Sequence, residues 1–369
     1  MPGLDLLRSI AIAWVMLFHS FVVGGLGPQW EWLSRYGWMG VDLFFVLSGF
    51  LIGTQVFKPV ALGKRGSFRE FYLRRALRIL PAYWTVLLLY LAWPGFREAP
   101  GMEPWWKFIT FVLNLDIDYS HGAAFSHAWS LCVEEHFYLL FPPLAWWLLR
   151  RPAAWKFAAL CGVLVVAGIG LRTATWLHDT AVDPGFARNW FVEDIYYPTR
   201  NRLDGLLVGV ALAAWKVFRP QAWERARRHA NLFLLAGLAA MALALWLFRD
   251  RVGLLGNSIG WPVLSAALGL LVFAGAGRDS AIGRRSLPGA GWLAAISYSL
   301  YLVHKAIYHV VQAHWGDRLS GHGFIAFCMY GLAAIAAGAL LHHAVEKPFL
   351  RLRDRLPSPR LPAAVAEPG

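Results

Sequence analysis

Charge is scarce in this chain. Only 15% of its 369 residues are Asp, Glu, Lys or Arg, whereas 58% are hydrophobic and the mean hydropathy is +0.46. A soluble globular domain is nearer a quarter charged and half apolar, so the composition excludes an ordinary soluble protein. Cysteine is almost absent. Cys132, Cys161 and Cys328 all fall in apolar stretches without CxxC spacing, which excludes a disulfide framework and gives no zinc site, so no metal is expected. No internal repeat, low-complexity segment or appended soluble domain is expected from the sequence. No cleavable signal is expected, because the first apolar run lacks a small-residue cleavage site and more such runs follow.

What remains is apolar runs along the whole length. Windows of about 19 residues predict an all-α, polytopic membrane bundle of about ten helices. They lie near 4–23, 38–57, 76–93, 128–149, 156–176, 203–218, 231–248, 259–276, 290–311 and 323–345. One transmembrane domain, 1–350, is expected, followed by a short basic, Pro- and Ala-rich cytoplasmic tail, 351–369, disordered from Leu356 onward. With the N-terminus placed inside, Lys and Arg divide 24 to 10 in favour of the inner side. By the positive-inside rule both termini are cytoplasmic. The net charge of +13 then reads as a topology signal and a contact with anionic lipid, not as a nucleic-acid footprint. Trp105, Trp106, Trp190, Tyr196 and Tyr197 in the outer loops suit an interfacial belt or stacking on sugar rings.

Depth along these helices brings polar residues to one level. His19 lies about 22 Å up the first helix. Asp42 sits about one turn below the outer end of the second, and Glu134 and Glu135 about two turns down the fourth. Arg200, Arg202 and Asp204 open the sixth, and His304 is about two turns short of the end of the ninth. Ionisable groups inside a membrane are costly and mark functional sites by default; His in addition exchanges a proton near neutral pH. At the inner face, Arg74, Arg75 and Arg78 stand at the mouth of the third helix. Arg75 and Arg78, three apart, share a face. Guanidinium groups together with free N–H groups at a helix N-terminus suit a phosphate. Arg74 reads as positive-inside anchoring.

Taken in order, these segments resemble the acyltransferase-3 family of integral membrane acyltransferases. LDLLRSIAIAWVMLFHS (4–20) is similar to the family's opening helix with its proposed catalytic His, here His19, and GVDLFFVLSGFLIG (40–53) to its second helix. FYLRRALRILPAYW (71–84) carries the RxxR as Arg75 and Arg78, and HAWSLCVEEHFYLLFPPL (127–144) the WSLxxEE segment. RLDGLLVGVAL (202–212), SYSLYLVH (297–304) and EKP (346–348) resemble its sixth helix, its ninth and its end. Leu6 stands where the family usually has Gly, and His136 where Gln is usual. The family includes members with a fused extracytoplasmic esterase-like domain; no segment here reads as one.

The resemblance implies O-acyl transfer, commonly of acetyl, from cytoplasmic acyl-CoA to a hydroxyl of a sugar in a cell-surface or lipid-linked glycan, at a bacterial inner membrane. No cofactor is bound permanently; acyl-CoA is a donor substrate whose phosphates would sit on Arg75 and Arg78. Its pantetheine arm would thread inward to His19, the general base, with Glu134 or Asp42 holding the imidazole tautomer as a triad carboxylate does. A route through acyl-His19 is equally open. Glu135, Arg202, Asp204, Ser297, Tyr298 and His304 are the candidate substrate contacts, and Arg202, Ser297 or Tyr298 would polarise the carbonyl. Two rival classes stand beside this reading. One is a proton-coupled secondary transporter using the His/carboxylate cluster, which predicts paired halves with interrupted helices. The other is a structural or signalling membrane protein, which leaves the buried charges and the RxxR without a role.

Overall fold

The computed structural model describes residues 1–20, 23, 31–63, 67–150, 154–319 and 323–356. Helix dominates. Among the described residues the only β contact is an isolated bridge between Met102 and Ala123. Each predicted helix has a counterpart: α1 (Pro2–Ser20), α2 (Met39–Ala61), α3 (Phe68–Ala92), α4 (Trp129–Leu149), α5 (Ala154–Val182), α6 (Asp204–Phe218), α7 (Ala230–Leu247), α8 (Trp261–Gly275), α9 (Ala290–Leu319) and α10 (Gly323–Leu341).

Seven described stretches are long and apolar enough to cross a membrane: α1, α2 with its lead-in from Glu31, α3, α5 from Ala159, α7, α8 with its lead-in from Gly256, and α10 extended to Arg355. The other three differ for physical reasons. The α6 helix has 15 residues, and α4 and α9 carry acids, histidines and tyrosines that line internal cavities.

Close helix contact holds the centre. A Cβ on Gly49 of α2 would lie 2.2 Å from the Leu206 carbonyl oxygen, and one on Gly209 of α6 would lie 2.2 Å from that of Val46. The two backbones therefore touch, as small residues permit where no hydrophobic force separates helix from lipid. At the end of the bundle that holds Met1, here the proximal end, Gly3 meets Gly275 at the close of α8, and the Ser9 hydroxyl donates to the Ala290 carbonyl at 2.6 Å. The α1 and α9 helices thus run in the same direction, which brings His19 and His304 toward the opposite, distal end together.

One boundary changes an argument. Ser67 caps α3, its hydroxyl accepting from the Glu70 N–H at 3.2 Å, so the helix starts at Phe68 rather than near 76. Arg74, Arg75 and Arg78 therefore stand inside the helix, where backbone N–H groups are already bonded. The free N–H groups expected beside them are not there.

After α10 the chain continues as a basic amphipathic helix, Lys347–Arg355, which lies along α3. Arg74 donates to the Leu356 carbonyl at 2.9 Å and to Glu70 at 2.8 Å, which ties the two helices together. Residues 351–355, expected at the start of a tail, are helical. The segment 357–369, expected as disordered, lies outside the described residues, as do 21 and 22 at the expected end of the first helix.

Candidate active site

Three cavities follow one another through the bundle. The distal one, about 420 Å³, is lined by His19, His127, Trp38, Glu98, Arg251 and Lys305, among others. A middle one of about 110 Å³ holds Arg8, Ser48, Arg75, Arg78, Glu134 and Tyr298. The proximal one, about 200 Å³, is formed by Gln55, Arg74, Arg75, Arg78, Arg353 and Asp354. Val41 and Tyr301 line both the distal and the middle cavity. Ile52, Arg75 and Arg78 line both the middle and the proximal one. A path of shared walls thus connects the arginines to the imidazoles.

In the distal cavity His19 Nδ1 lies 2.7 Å from His304 Nε2, and His304 Nδ1 lies 2.7 Å from the Tyr301 carbonyl oxygen. A carbonyl only accepts, so His304 Nδ1 carries a proton. In the neutral ring His304 Nε2 is then an acceptor, and His19 Nδ1 must donate to it. This assignment leaves His19 Nε2 as the bare lone pair. A carbonyl and a second imidazole thereby do what a carboxylate does in a Ser-His-Asp triad: they select one tautomer and one ring orientation.

The segment between α3 and α4 adds a third imidazole. Phe125 adopts the left-handed region (φ 57°, ψ 20°), rare for so bulky a residue. The turn is held by the Glu98 carboxylate, which accepts from the Phe125 N–H at 3.1 Å, and by stacking of Phe125 on Tyr90 and Phe108. Immediately after it, His127 points inward, its ring 5.2 Å from that of His304, with Nε2 donating to the Leu302 carbonyl at 3.1 Å. Glu98 also pairs with Lys305 at 2.9 Å and accepts from the Tyr90 hydroxyl at 2.8 Å. One half-buried carboxylate thus fixes the loop, Lys305 and the setting of His127.

The acids expected near His19 are elsewhere. Asp42 accepts from Arg202 at 2.7 Å, and that guanidinium lies among aromatic rings, 3.8 Å from Trp261 and 4.5 Å from Tyr196. Asp204 pairs with Arg172 at 2.8 Å. Glu134 accepts from the Ser48 hydroxyl at 2.6 Å and lies 3.9 Å from Arg75; Glu135 is 3.5 Å from the same guanidinium, which stacks on Tyr138. Neither Asp42 nor Glu134 bonds to His19. Tyr298 donates to the Ile79 carbonyl and Ser297 to that of Ala294, both at 2.9 Å, and both residues line the middle cavity. His304, expected as a substrate contact, is the partner of His19. The departure at His136 leads to Thr199, whose hydroxyl is 2.7 Å from Nδ1. Among the described residues no group of three or more His, Cys, Asp and Glu could hold a metal ion.

Several charged or imidazole residues of these cavities escaped sequence reasoning, Arg8, Glu98, His127, Arg251 and Lys305 among them. His127 stood two residues before the WSL segment and Lys305 directly after His304, and a lysine beside a histidine in an apolar helix was a usable signal. Glu98 and Arg251 lie in connecting segments, where depth arithmetic has no hold.

Residues 1–343 match the model of the acyltransferase-3 family, described as an acyltransferase domain. The chain belongs to this family. With that membership and its apolar helices, it is a multi-pass membrane protein. Similar relatives include the putative peptidoglycan O-acetyltransferase YrhL of Bacillus subtilis, 25% identical over 94% of this chain and 54% of that protein. O-acetyltransferase OatA of Staphylococcus aureus is 27% identical over 85% of this chain and 52% of the relative. Peptidoglycan O-acetyltransferase OatA of Listeria monocytogenes is 26% identical over 83% and 49%. The chain spans about half the length of these relatives. No solved structure matches. The transporter reading finds no support among the relatives of this acyltransferase-3 chain.

Proposed function

We propose that this protein is a membrane-embedded O-acyltransferase moving an acyl group, acetyl first, from cytoplasmic acyl-CoA to a sugar hydroxyl of a cell-surface glycan. The observation that carries the reading is the line of cavities joining Arg78 and Arg8 to His19. Among the described residues Arg8 and Arg78 make no ion pair, so their charge is available to donor phosphates. Arg75 is already engaged by Glu134 and Glu135 and shapes the wall between middle and proximal cavities. The positive-inside bias puts this proximal end, and both termini, in the cytoplasm. The names of the relatives support a cell-wall glycan as acceptor and, with it, a bacterial inner membrane.

Chemically, the thioester reaches His19 past Val41 and Tyr301. His19 Nε2 takes the proton of the acceptor hydroxyl as its oxygen attacks the thioester carbonyl carbon. Collapse of the tetrahedral adduct breaks the C–S bond, and the proton passes to the departing thiolate. Product ester and CoA thiol result. General-base action of this kind contributes about 10²–10⁴ in rate.

The deciding experiment uses purified protein in nanodiscs, wild type and His19→Ala, measuring acetyl-CoA binding and its slow hydrolysis to CoA. Binding by both with hydrolysis by wild type alone is the expected result. Folded wild-type protein that does not bind acetyl-CoA would refute the donor assignment.

A further inference from the structure

Arginines inside the distal half of this protein come in two kinds, and Arg172 and Arg202 are fully buried whereas Arg251 is half-buried. Arg172 and Arg202 are each neutralised by an aspartate, Asp204 and Asp42, at 2.8 and 2.7 Å. Arg251 is not. It lines the distal cavity with His19, and its guanidinium is held among rings, 4.8 Å from Tyr196, 5.2 Å from Trp38 and 5.3 Å from Phe18. Among the described residues it makes no ion pair, and its buried Nε has no hydrogen-bond partner. The other cation of the cavity, Lys305, is matched by Glu98 at 2.9 Å. Glu31, which lines a neighbouring cavity with Arg251, is exposed and not within ion-pair distance. The distal cavity therefore carries one uncompensated positive charge, and the stacked guanidinium is pre-organised for a bidentate anion.

We propose that Arg251 is an anion subsite for the acceptor, so that the glycan accepted at His19 bears a carboxylate or phosphate near its reacting hydroxyl. The proposal rests on the O-acyltransferase reading for the identity of the reaction, but not for the charge of the ligand. Aromatic walls at Trp38 and Tyr196 suit the apolar faces of sugar rings, and Asn189 and Gln312 supply amides to their hydroxyls.

The test measures calorimetric binding of three oligosaccharides of equal length to the protein in nanodiscs. One is neutral (glucose units), one carboxylated (glucuronic acid units) and one phosphorylated (glucose 6-phosphate at one end). Wild type is expected to bind at least one anionic probe about ten- to a hundred-fold tighter than the neutral one, which is the range of one charge-assisted contact. Whichever anion is preferred identifies the source of the charge. The preference should vanish in Arg251→Gln and persist in Arg251→Lys. Equal binding of neutral and anionic probes by wild type overturns the proposal, as does a preference surviving in Arg251→Gln or no anionic binding at millimolar concentration. Should Arg251→Gln fail to fold, the wild-type comparison at low and high salt still decides, because a charge-based preference must shrink with salt. Failure of the donor reading would show separately, as absence of acetyl-CoA binding beside an intact anion preference.

Discussion

Replacing His304 tests how the base is set. The side chain is fully buried, and its Nε2 is the hydrogen-bond partner of His19 Nδ1. In His304→Leu the site keeps its volume and loses the acceptor. The proton of the neutral His19 ring is then free to sit on Nε2, the nitrogen that must be bare, and the ring is free to turn. Losing a tautomer-setting partner in a Ser-His-Asp triad costs about 10⁴ in turnover. His304 is a neutral partner and His19 retains its packing, so a loss of about 10²–10³ is expected in acetyl-CoA hydrolysis. His304→Gln restores an amide oxygen and should recover most of that loss. The assay is release of CoA thiol by protein in nanodiscs, with acetyl-CoA binding measured in parallel. The Leu variant should bind donor normally and show a reduced turnover at saturating donor. Wild-type turnover in a well-folded His304→Leu would refute the reasoning, as would a Gln variant no better than Leu.

Further perturbations separate binding from scaffold. Arg78→Ala should raise the KM for acetyl-CoA about 10–100-fold with turnover little changed, since a charged hydrogen bond to phosphate is held in ground and transition state alike; steady-state kinetics over donor concentration reads this. Arg75→Ala should instead lower the thermal midpoint, because it leaves Glu134 and Glu135 without their cation. These pairs are half-buried at 3.9 and 3.5 Å, so the loss should be smaller than the about 3–5 kcal/mol that breaking a fully buried pair costs. Asp42→Ala should behave likewise through Arg202, and a variant with wild-type melting but selectively lost turnover would place Asp42 at the chemistry after all. Gly209→Val should abolish folded protein on size-exclusion chromatography, as its side chain has nowhere to go against the Val46 carbonyl.

The helices were legible because apolar windows of bilayer length leave few other readings, and the level shared by His19 and His304 followed from rise per residue on two helices of like direction. Depth does not determine the direction a side chain faces around its helix. Asp42 stands near the expected level yet turns toward Arg202, and Glu134 turns toward Ser48 and Arg75. The start of α3 was missed because Ser67, a polar residue in a basic segment, caps a helix whose first turns are not apolar. Glu98 and Arg251 were out of reach for another reason: loops carry no periodicity, and Phe125 takes a backbone conformation that its residue type disfavours. The chemistry-bearing loop is specified by the tertiary fold, not by local pattern.

Val41 and Tyr301, the wall shared by the distal and middle cavities, have an electrical consequence. In a bilayer the membrane voltage falls mostly across the least polarisable layer, and polar vestibules on either side thin that layer to this partition. A charge crossing the whole potential exchanges about 2.3 kcal/mol per 100 mV. In a transfer of the proposed kind, thioester and alcohol enter neutral, and ester and thiol leave neutral. The acyl group goes outward without the electron pair it leaves on sulfur, and a proton comes inward on that sulfur in exchange. No net charge passes the partition, so the membrane voltage neither drives nor opposes the transfer, and an energised and a depolarised membrane should support it equally.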